Sequence, residues 1–393
     1  MTNGGGPAVP IPPPQFPTAN SARVWFITSG DSPVGLALAG AVLEHGDYVV
    51  AGISQAEFEA DGGRSREVKR FLEQVNRSHG WKERLRFVDL DIRVVPQCQA
   101  AIAKAVEAFR KIDILFCCTS EAVVGTVEEM AADRRTLALV REQFEHNFFG
   151  PMNMIRGVIP EMRSKTNGHI IVLTGITCHL GTPGLGMYCA AGWALEGFCD
   201  SIAYEIAPFN IKLSIVQASI EIGILTNRVT SVPPMKEYSK EAGNTAPLFR
   251  GLLDGLLNRL PAIREQYPPH SPPAGVDVTS PSSETERQSG PFLLSRDEVV
   301  SLYPPLSHSH TAKLVAETVH AVTAIGGHEN PPARHIVGYE GVASVKEKLK
   351  TVSEELEEFI DTSLAADIET RASPAQGRKR NSFDTDADSR TTL

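Results

Sequence analysis

Along residues 23–118, short runs rich in β-branched and aromatic side chains alternate with segments whose apolar positions recur every three or four residues. The runs 23–28, 48–53, 85–90 and 113–118 predict strands, and the segments 34–45, 64–78 and 97–109 predict helices. The same beat continues with a helix at 137–163, a strand at 169–174, a helix at 185–206 and a strand at 212–217. Pro151 and Pro160 fall inside the long helix. Proline lacks the helical N–H and its ring crowds the preceding turn, so both positions predict a kink or a late stop. Strands alternating with helices at this spacing predict an α/β fold with a doubly wound parallel sheet.

Past residue 217 the pattern loosens. Residues 267–291 carry too few apolar side chains to offset the entropy of ordering them and predict a disordered surface loop. Periodicity returns with a helix at 310–325, a strand at 335–339 and a helix with a charged face at 342–360. The chain therefore divides into a disordered Pro/Gly-rich leader (1–20), a core (21–225), an insertion (226–295), a C-terminal strand-and-helix region (296–364) and a disordered polar tail (365–393). One folded domain is expected from this division, without internal repeats.

Composition narrows the function classes. A net charge of -9 with dispersed Lys and Arg argues against a nucleic-acid surface, which needs a basic field. The leader has no basic start followed by an apolar stretch, and no apolar run reaches membrane-spanning length, so neither a signal peptide nor a membrane partner is expected. Six cysteines, Cys98, Cys117, Cys118, Cys178, Cys189 and Cys199, show no metal-ligand spacing. They predict reduced, buried thiols, a cytoplasmic location and no metal.

The first strand runs into Thr28-Ser29-Gly30-Asp31-Ser32-Pro33-Val34-Gly35 and then the first helix. That is where a Rossmann fold places a pyrophosphate against a helix N-terminus. Of the positions where glycine would permit close backbone approach, only Gly35 is glycine, Ser29 and Pro33 standing at the other two; Pro33 has no N–H to donate but suits a first helical position after the N-cap Ser32. Asp31 would face phosphate charge unless it turns away or shares a cation. A tight strand-to-helix turn with no ligand accounts for the same residues. After the second strand, Ser54 and Gln55 are neither the acid that holds an NAD ribose nor an arginine for an NADP phosphate, so the pattern selects neither cofactor.

Pro183-Gly-Leu-Gly-Met-Tyr188-Cys-Ala-Ala-Gly192 resembles the active-site helix of the short-chain dehydrogenase/reductases, and a fungal-type member in particular. Further matches are Asp91 in Leu90-Asp91-Ile92, Asn147 in Phe144-Glu-His-Asn147, and the stretch around Arg334-His335-Ile-Val-Gly. The resemblance implies NAD or NADP held by Thr28, Ser29, Gly30, Gly35 and Tyr188, with Asp91 at the adenine, and Tyr188 and Asn147 in a proton relay. It also places the insertion on the substrate side and implies pairing of subunits into a homo-oligomer. Asp91 equally suits a helix cap, Asn147 a bond to nearby backbone, and Tyr188 a buried aromatic.

The departures from the family pattern are specific. The family's serine and lysine positions are Gly175 and Gly192, its paired asparagines fall on Cys117 and Cys118, and its Pro-Gly after the sixth strand is Ala218-Ser219. Without a neighbouring cation a tyrosine keeps a pKa of about 10 and is a sluggish base near neutrality. Thr174 or Thr177 could offer the missing hydroxyl, although alternation turns Thr174 away and Thr177 lies further round the turn. Two functions follow: a family member whose catalysis is lost or severely reduced and which binds a small molecule or a protein, or an active NAD(P)-dependent oxidoreductase with a relocated donor and a cation from Arg228, Lys236 or Lys240. Arg378-Lys-Arg before Ser382 resembles a kinase site, and equally an ordinary solvated charge run.

Overall fold

The computed structural model describes residues 12–55, 62–132, 134–219, 222, 227–232, 235, 300–302 and 308–360. The expected loop at 267–291, the tail with Ser382, Lys236 and Lys240 lie outside the described residues, as does the side chain of Arg228.

Within the body Met1–Lys348 the expected alternation is observed. Strand β1 (Val24–Ile27) leads to helix α1 (Pro33–His45), β2 (Tyr48–Ile53), α2 (Gly62–Arg77), a short α3 (Trp81–Arg84), β3 (Leu85–Asp89), α4 (Val95–Phe109) and β4 (Ile114–Cys117). Then follow β5 (Glu121–Val124), α5 (Val127–Met130), α6 (Arg134–Phe144), α7 (Gly150–Lys165), β6 (Gly168–Gly175), α8 (Gly186–Ile206) and β7 (Ile211–Ala218). The described residues end with β8 (Arg228–Ser231), β9 (Val300–Leu302), α9 (His308–Ile325), β10 (Arg334–Ile336) and α10 (Tyr339–Glu358).

Seven strands form one parallel sheet in the order β10-β7-β6-β4-β1-β2-β3. This is the α/β Rossmann-type sheet expected, with the order reversing between β1 and β4. Side-chain alternation feeds two cores. Val24 and Phe26 of β1, with Leu115 and Cys117 of β4, face α4, α7 and α8. Trp25 and Ile27, with Ile114 and Phe116, face α1, α2 and α9. The central strands β1 and β4 are covered on both faces and apolar throughout, so their carboxyl ends are what remains available for chemistry.

Three features differ from expectation. Residues 12–20 of the leader, expected to be disordered, pack on the body: Phe16 stacks on His45 at 4.0 Å, and Arg23 Nη2 donates to the carbonyls of Pro17 and Thr18. A second, three-stranded sheet β5-β8-β9 was not anticipated. The long helix is split by a π-helical segment, Glu145–Phe149, and Pro151 starts α7 just beyond it. Pro160 lies inside α7 without ending it. In the end segment Leu349–Leu393, residues up to 358 are helical, with Lys350 Nζ 3.7 Å from Glu354.

Candidate active site

The loop after β1 is held by its own side chains. Ser32 Oγ accepts from Gly35 N at 3.0 Å, capping α1, and donates to Ser29 O at 2.8 Å. Pro33 follows as the first helical residue. A β-carbon at Gly35 would lie 2.0 Å from Ser29 O, so only glycine closes this turn. Asp31 resolves the charge conflict seen in the sequence by sharing a cation: its buried carboxylate accepts from Ser29 Oγ and pairs with Arg64 Nη1 of α2 at 3.3 Å. The loop thus presents a helix N-terminus with its one acid neutralised, while Gly30 N donates to Gly52 O and Gly35 N to Ser32 Oγ. Thr28 Oγ1 meanwhile accepts from Cys118 N, tying the loop to the end of β4.

Asp91 follows β3 as expected, but Arg93 grips both its oxygens at 2.8 and 2.7 Å. Burial pushes the Asp91 carboxyl up, and the Arg93 hydrogen bonds and charge outweigh this, so it ends below the ordinary carboxylate value. Asn147 sits in the π-helical turn with both amide groups committed: Oδ1 accepts from Glu121 N at 2.8 Å and Nδ2 donates to Glu121 O at 2.7 Å. The side chain therefore pins β5 to the long helix.

The carboxyl ends of β4 and β6 and the face of α8 enclose one cleft, which brings together Cys117, Cys118, Asn147, Gly175, Tyr188 and Gly192. No Asp, Glu, Lys, Arg or His lines it among the described residues. Tyr188 is buried, and its hydroxyl shares a 3.2 Å hydrogen bond with Ser120 Oγ. Burial pushes the phenol up to about 12, and the Ser120 bond offsets only part of this. Near pH 7 about one molecule in 10⁵ carries the phenolate. Ser120 was not singled out from the sequence, yet it had a signal. It closes the run Cys117-Cys118-Thr119-Ser120 that leaves the carboxyl end of β4, the end at which a parallel sheet of this kind binds its ligands.

Gly192 lies one turn beyond Tyr188 on α8, and Cys178 fills the space beside it: a β-carbon on residue 192 would fall 2.6 Å from Cys178 Sγ. Burial, reinforced by the neighbouring Glu196, keeps the Cys178 thiol protonated. Cys118 is likewise pushed by burial, to about 11, so the adjacent Cys117 and Cys118 are inert thiols.

Gly175, by contrast, is open. The nearest atom to a β-carbon there is Thr177 Oγ1 at 3.1 Å. Thr174 lines the cleft, but its hydroxyl donates to Glu196 Oε1 at 2.7 Å. Glu196 is a buried carboxylate that also accepts from Gln217 Nε2 at 2.8 Å and lies 3.5 Å from Arg334 Nε. Thr177, set aside as lying further round the turn, is in the cleft after all. The chain leaves β6 for a 3-10 turn, Ile176–Cys178, and strand alternation no longer applies there.

A doubly wound parallel sheet with a capped nucleotide loop at its first turn, and a tyrosine-bearing cleft at its strand ends, defines a dinucleotide-type oxidoreductase architecture. The sequence model of the short chain dehydrogenase family matches residues 23–230, and the chain belongs to that family. It is 30% identical to oxidoreductase BOA17 of Botryotinia fuckeliana over 232 residues, covering 58% of this chain and 77% of that one. It is 28% identical to human retinol dehydrogenase 8 over 157 residues, 40% of this chain and 47% of that protein. A short-chain dehydrogenase from Streptomyces avermitilis shares the fold, with a TM-score of 0.59 at 21% identity, over 88% of this chain and all of that one. No described helix is long and apolar enough to cross a membrane, and no described cluster of His, Cys, Asp and Glu could hold a metal.

Proposed function

We propose that this protein is a short-chain dehydrogenase family member that binds a small molecule beside its nucleotide loop and transfers hydride slowly or not at all. One observation carries the reading: Cys178 Sγ occupies the space beside Gly192, where the family's lysine would start, and the Tyr188 phenol is pushed up to about 12. Losing a positioned acid–base activator costs about 100- to 10,000-fold in rate, and the Ser120 bond to the Tyr188 hydroxyl must also be broken before that hydroxyl serves a ligand.

NAD(P) belongs to this reading as a ligand. Thr28, Ser29, Gly30 and Gly35 would hold its phosphates at the N-terminus of α1, with Arg64 balancing Asp31. When bound, the cofactor supplies a hydride acceptor or donor. The chain's own part would be to pass a proton at Tyr188 Oη, and nothing charged in the described cleft helps it do so. A cytoplasmic protein fits the same picture, supported by six buried free thiols, while pairing into the family's homo-oligomer rests on the resemblance alone.

The test is to titrate NADPH and NADH against the purified chain by calorimetry, then to assay ketone reduction and alcohol oxidation with each. The reading expects binding with turnover at least 100-fold below ordinary enzymatic rates, insensitive to Tyr188→Phe. Turnover at about 1–10³ s⁻¹ that is lost in Tyr188→Phe would establish the active oxidoreductase instead. That second reading is favoured by one observation, the hydroxyl of Thr177 in the cleft.

A further inference from the structure

We propose that helix α10 docks a second copy of this chain, the two helices lying antiparallel with the basic part of each against the acidic part of the other. The inference concerns another part of the chain than the cleft and stands whether or not the cleft binds NAD(P).

The sequence of α10 carries the pattern. Val342, Val345, Leu349, Val352 and Leu356 recur at alternating intervals of three and four residues, and Ile360 follows four further on. That spacing draws the apolar side chains into one narrow stripe, the seam along which helices pair in a coiled coil. Val345 is buried, but Leu349 is 56% exposed, Leu356 63% and Ile360 50%. A single exposed leucine is ordinary, whereas large aliphatic side chains in register on one helix face mark a surface for a partner. Helices in proteins owe most of their stability to packing of the apolar face, so the stretch after Val345 has the most to gain from being covered.

The charges decide the partner. Lys346, Lys348 and Lys350 come first along the helix, with Glu347 among them, and Glu354, Glu355, Glu357 and Glu358 follow. Lys348 and Glu355 are seven residues apart, two turns, and so flank the stripe on the same side. In a parallel pair of such helices, lysines would meet lysines and glutamates would meet glutamates. In an antiparallel pair, Lys348 of each helix meets Glu355 of the other, twice by the two-fold symmetry, while Leu349 packs on Val352 of the second copy. Lys350 lies 3.7 Å from Glu354 of its own helix and takes no part in the seam. A partner of one charge sign would match only one half of α10. The stripe and its flanks are complementary to themselves, which is what an interface between two identical copies requires.

The experiment is disulfide trapping in the full chain. All six native cysteines are buried, so one introduced thiol reports on its own surroundings. Lys348→Cys and Glu355→Cys are oxidised with diamide, each alone and as a mixture. The mixture should yield a linked dimer holding one of each variant, because antiparallel pairing sets position 348 beside position 355 and leaves the other Lys348–Glu355 pair of that dimer intact. Either variant alone should yield no linked dimer. Leu349→Asp with Leu356→Asp, added to both variants, should abolish the link, and both leucines are exposed, so the fold does not depend on them. A link in either variant alone would mean a parallel pair. No link in the mixture would mean that the stripe is covered by another segment of the chain or by a different protein, and a link surviving the aspartates would mean random collision. Each of these outcomes would overturn the proposal.

Discussion

The sulfur of Cys178 lies 2.6 Å from the point at which a β-carbon on residue 192 would project. Real side chains do not approach so closely, and the two residues therefore answer for one volume. Cys178 is held from the other side by Glu196, whose carboxylate is fixed by Thr174, Gln217 and Arg334. Moving the thiol aside means giving up its bond to Glu196.

It follows that restoring a lysine at 192 alone should fail. Overpacking a closed site costs about 1–3 kcal/mol, partly offset by the roughly 1 kcal/mol that Gly→Lys gains in helix propensity. Gly192→Lys should be destabilised, and Gly192→Lys with Cys178→Ala should be more stable than the sum of the two single changes by about 1 kcal/mol in a double-mutant cycle. Ultraviolet titration of Tyr188 gives a second measure. The phenol should titrate lower in the double variant, where an ammonium stands beside it, and an unmoved titration would show that the cation does not reach.

Gly175 poses the opposite case. A β-carbon there comes tight only against Thr177 Oγ1, at 3.1 Å, a hydroxyl able to shift or to accept a hydrogen bond, while Thr177 N and Ala218 O lie at ordinary contact distances of 3.8 and 3.9 Å. Gly175→Ser should fold with stability within about 1 kcal/mol of wild type, because the one tight neighbour is the end of a side chain. Chemical denaturation of the variant checks this. A loss above about 2 kcal/mol would mean that the space beside β6 is already taken.

These two glycines show what the sequence could and could not reveal. The strands were legible because Trp25 and Ile27 face one core while Val24 and Phe26 face the other, the two-residue period that apolar runs encode. The loop Thr28–Gly35 was legible because capping and close approach are local properties. The sheet β5-β8-β9 was not, since Glu121–Val124 is a four-residue strand whose parallel partner, Arg228–Ser231, lies about a hundred positions away. Nor was Arg64 as the partner of Asp31, a contact spanning β2, nor Cys178 as the occupant of the space at 192. Counting drew attention to positions 175 and 192. Only packing shows what stands beside them.

Asn147 tests whether the π-helical turn is structural. Its amide satisfies both backbone groups of Glu121, so Asn147→Asp keeps the acceptor for Glu121 N but sets a carboxylate oxygen against Glu121 O. The expected cost is about 2 kcal/mol, the penalty of an unsatisfied buried carbonyl plus charge. Asn147→Asp should also regain stability as pH falls through the carboxyl's titration, when the protonated acid can donate again. A variant as stable as wild type at pH 7 would show that β5 does not depend on this pairing.

His169 predicts the acid limit of the fold. Buried at the start of β6, it accepts from Gly327 N at Nδ1 and so donates from Nε2 to Ser214 Oγ, both at 3.0 Å. Protonation would set an N–H against the Gly327 N–H. Burial, with Lys212, Arg23 and His328 nearby, accordingly lowers its pKa to about 3. In the unfolded chain the ring titrates near its ordinary value, about 6.5. Below that point the unfolded state binds a proton the folded state refuses, so His169 makes stability fall as pH drops from about 6.5 toward 3, by up to about 1.4 kcal/mol per unit. His335, lowered by burial as well, acts in the same direction. Urea unfolding from pH 7.5 to 4.5 should show this slope, and His169→Gln, which can keep an acceptor and a donor but cannot titrate, should flatten it. An identical slope in the variant would assign the acid sensitivity to other groups.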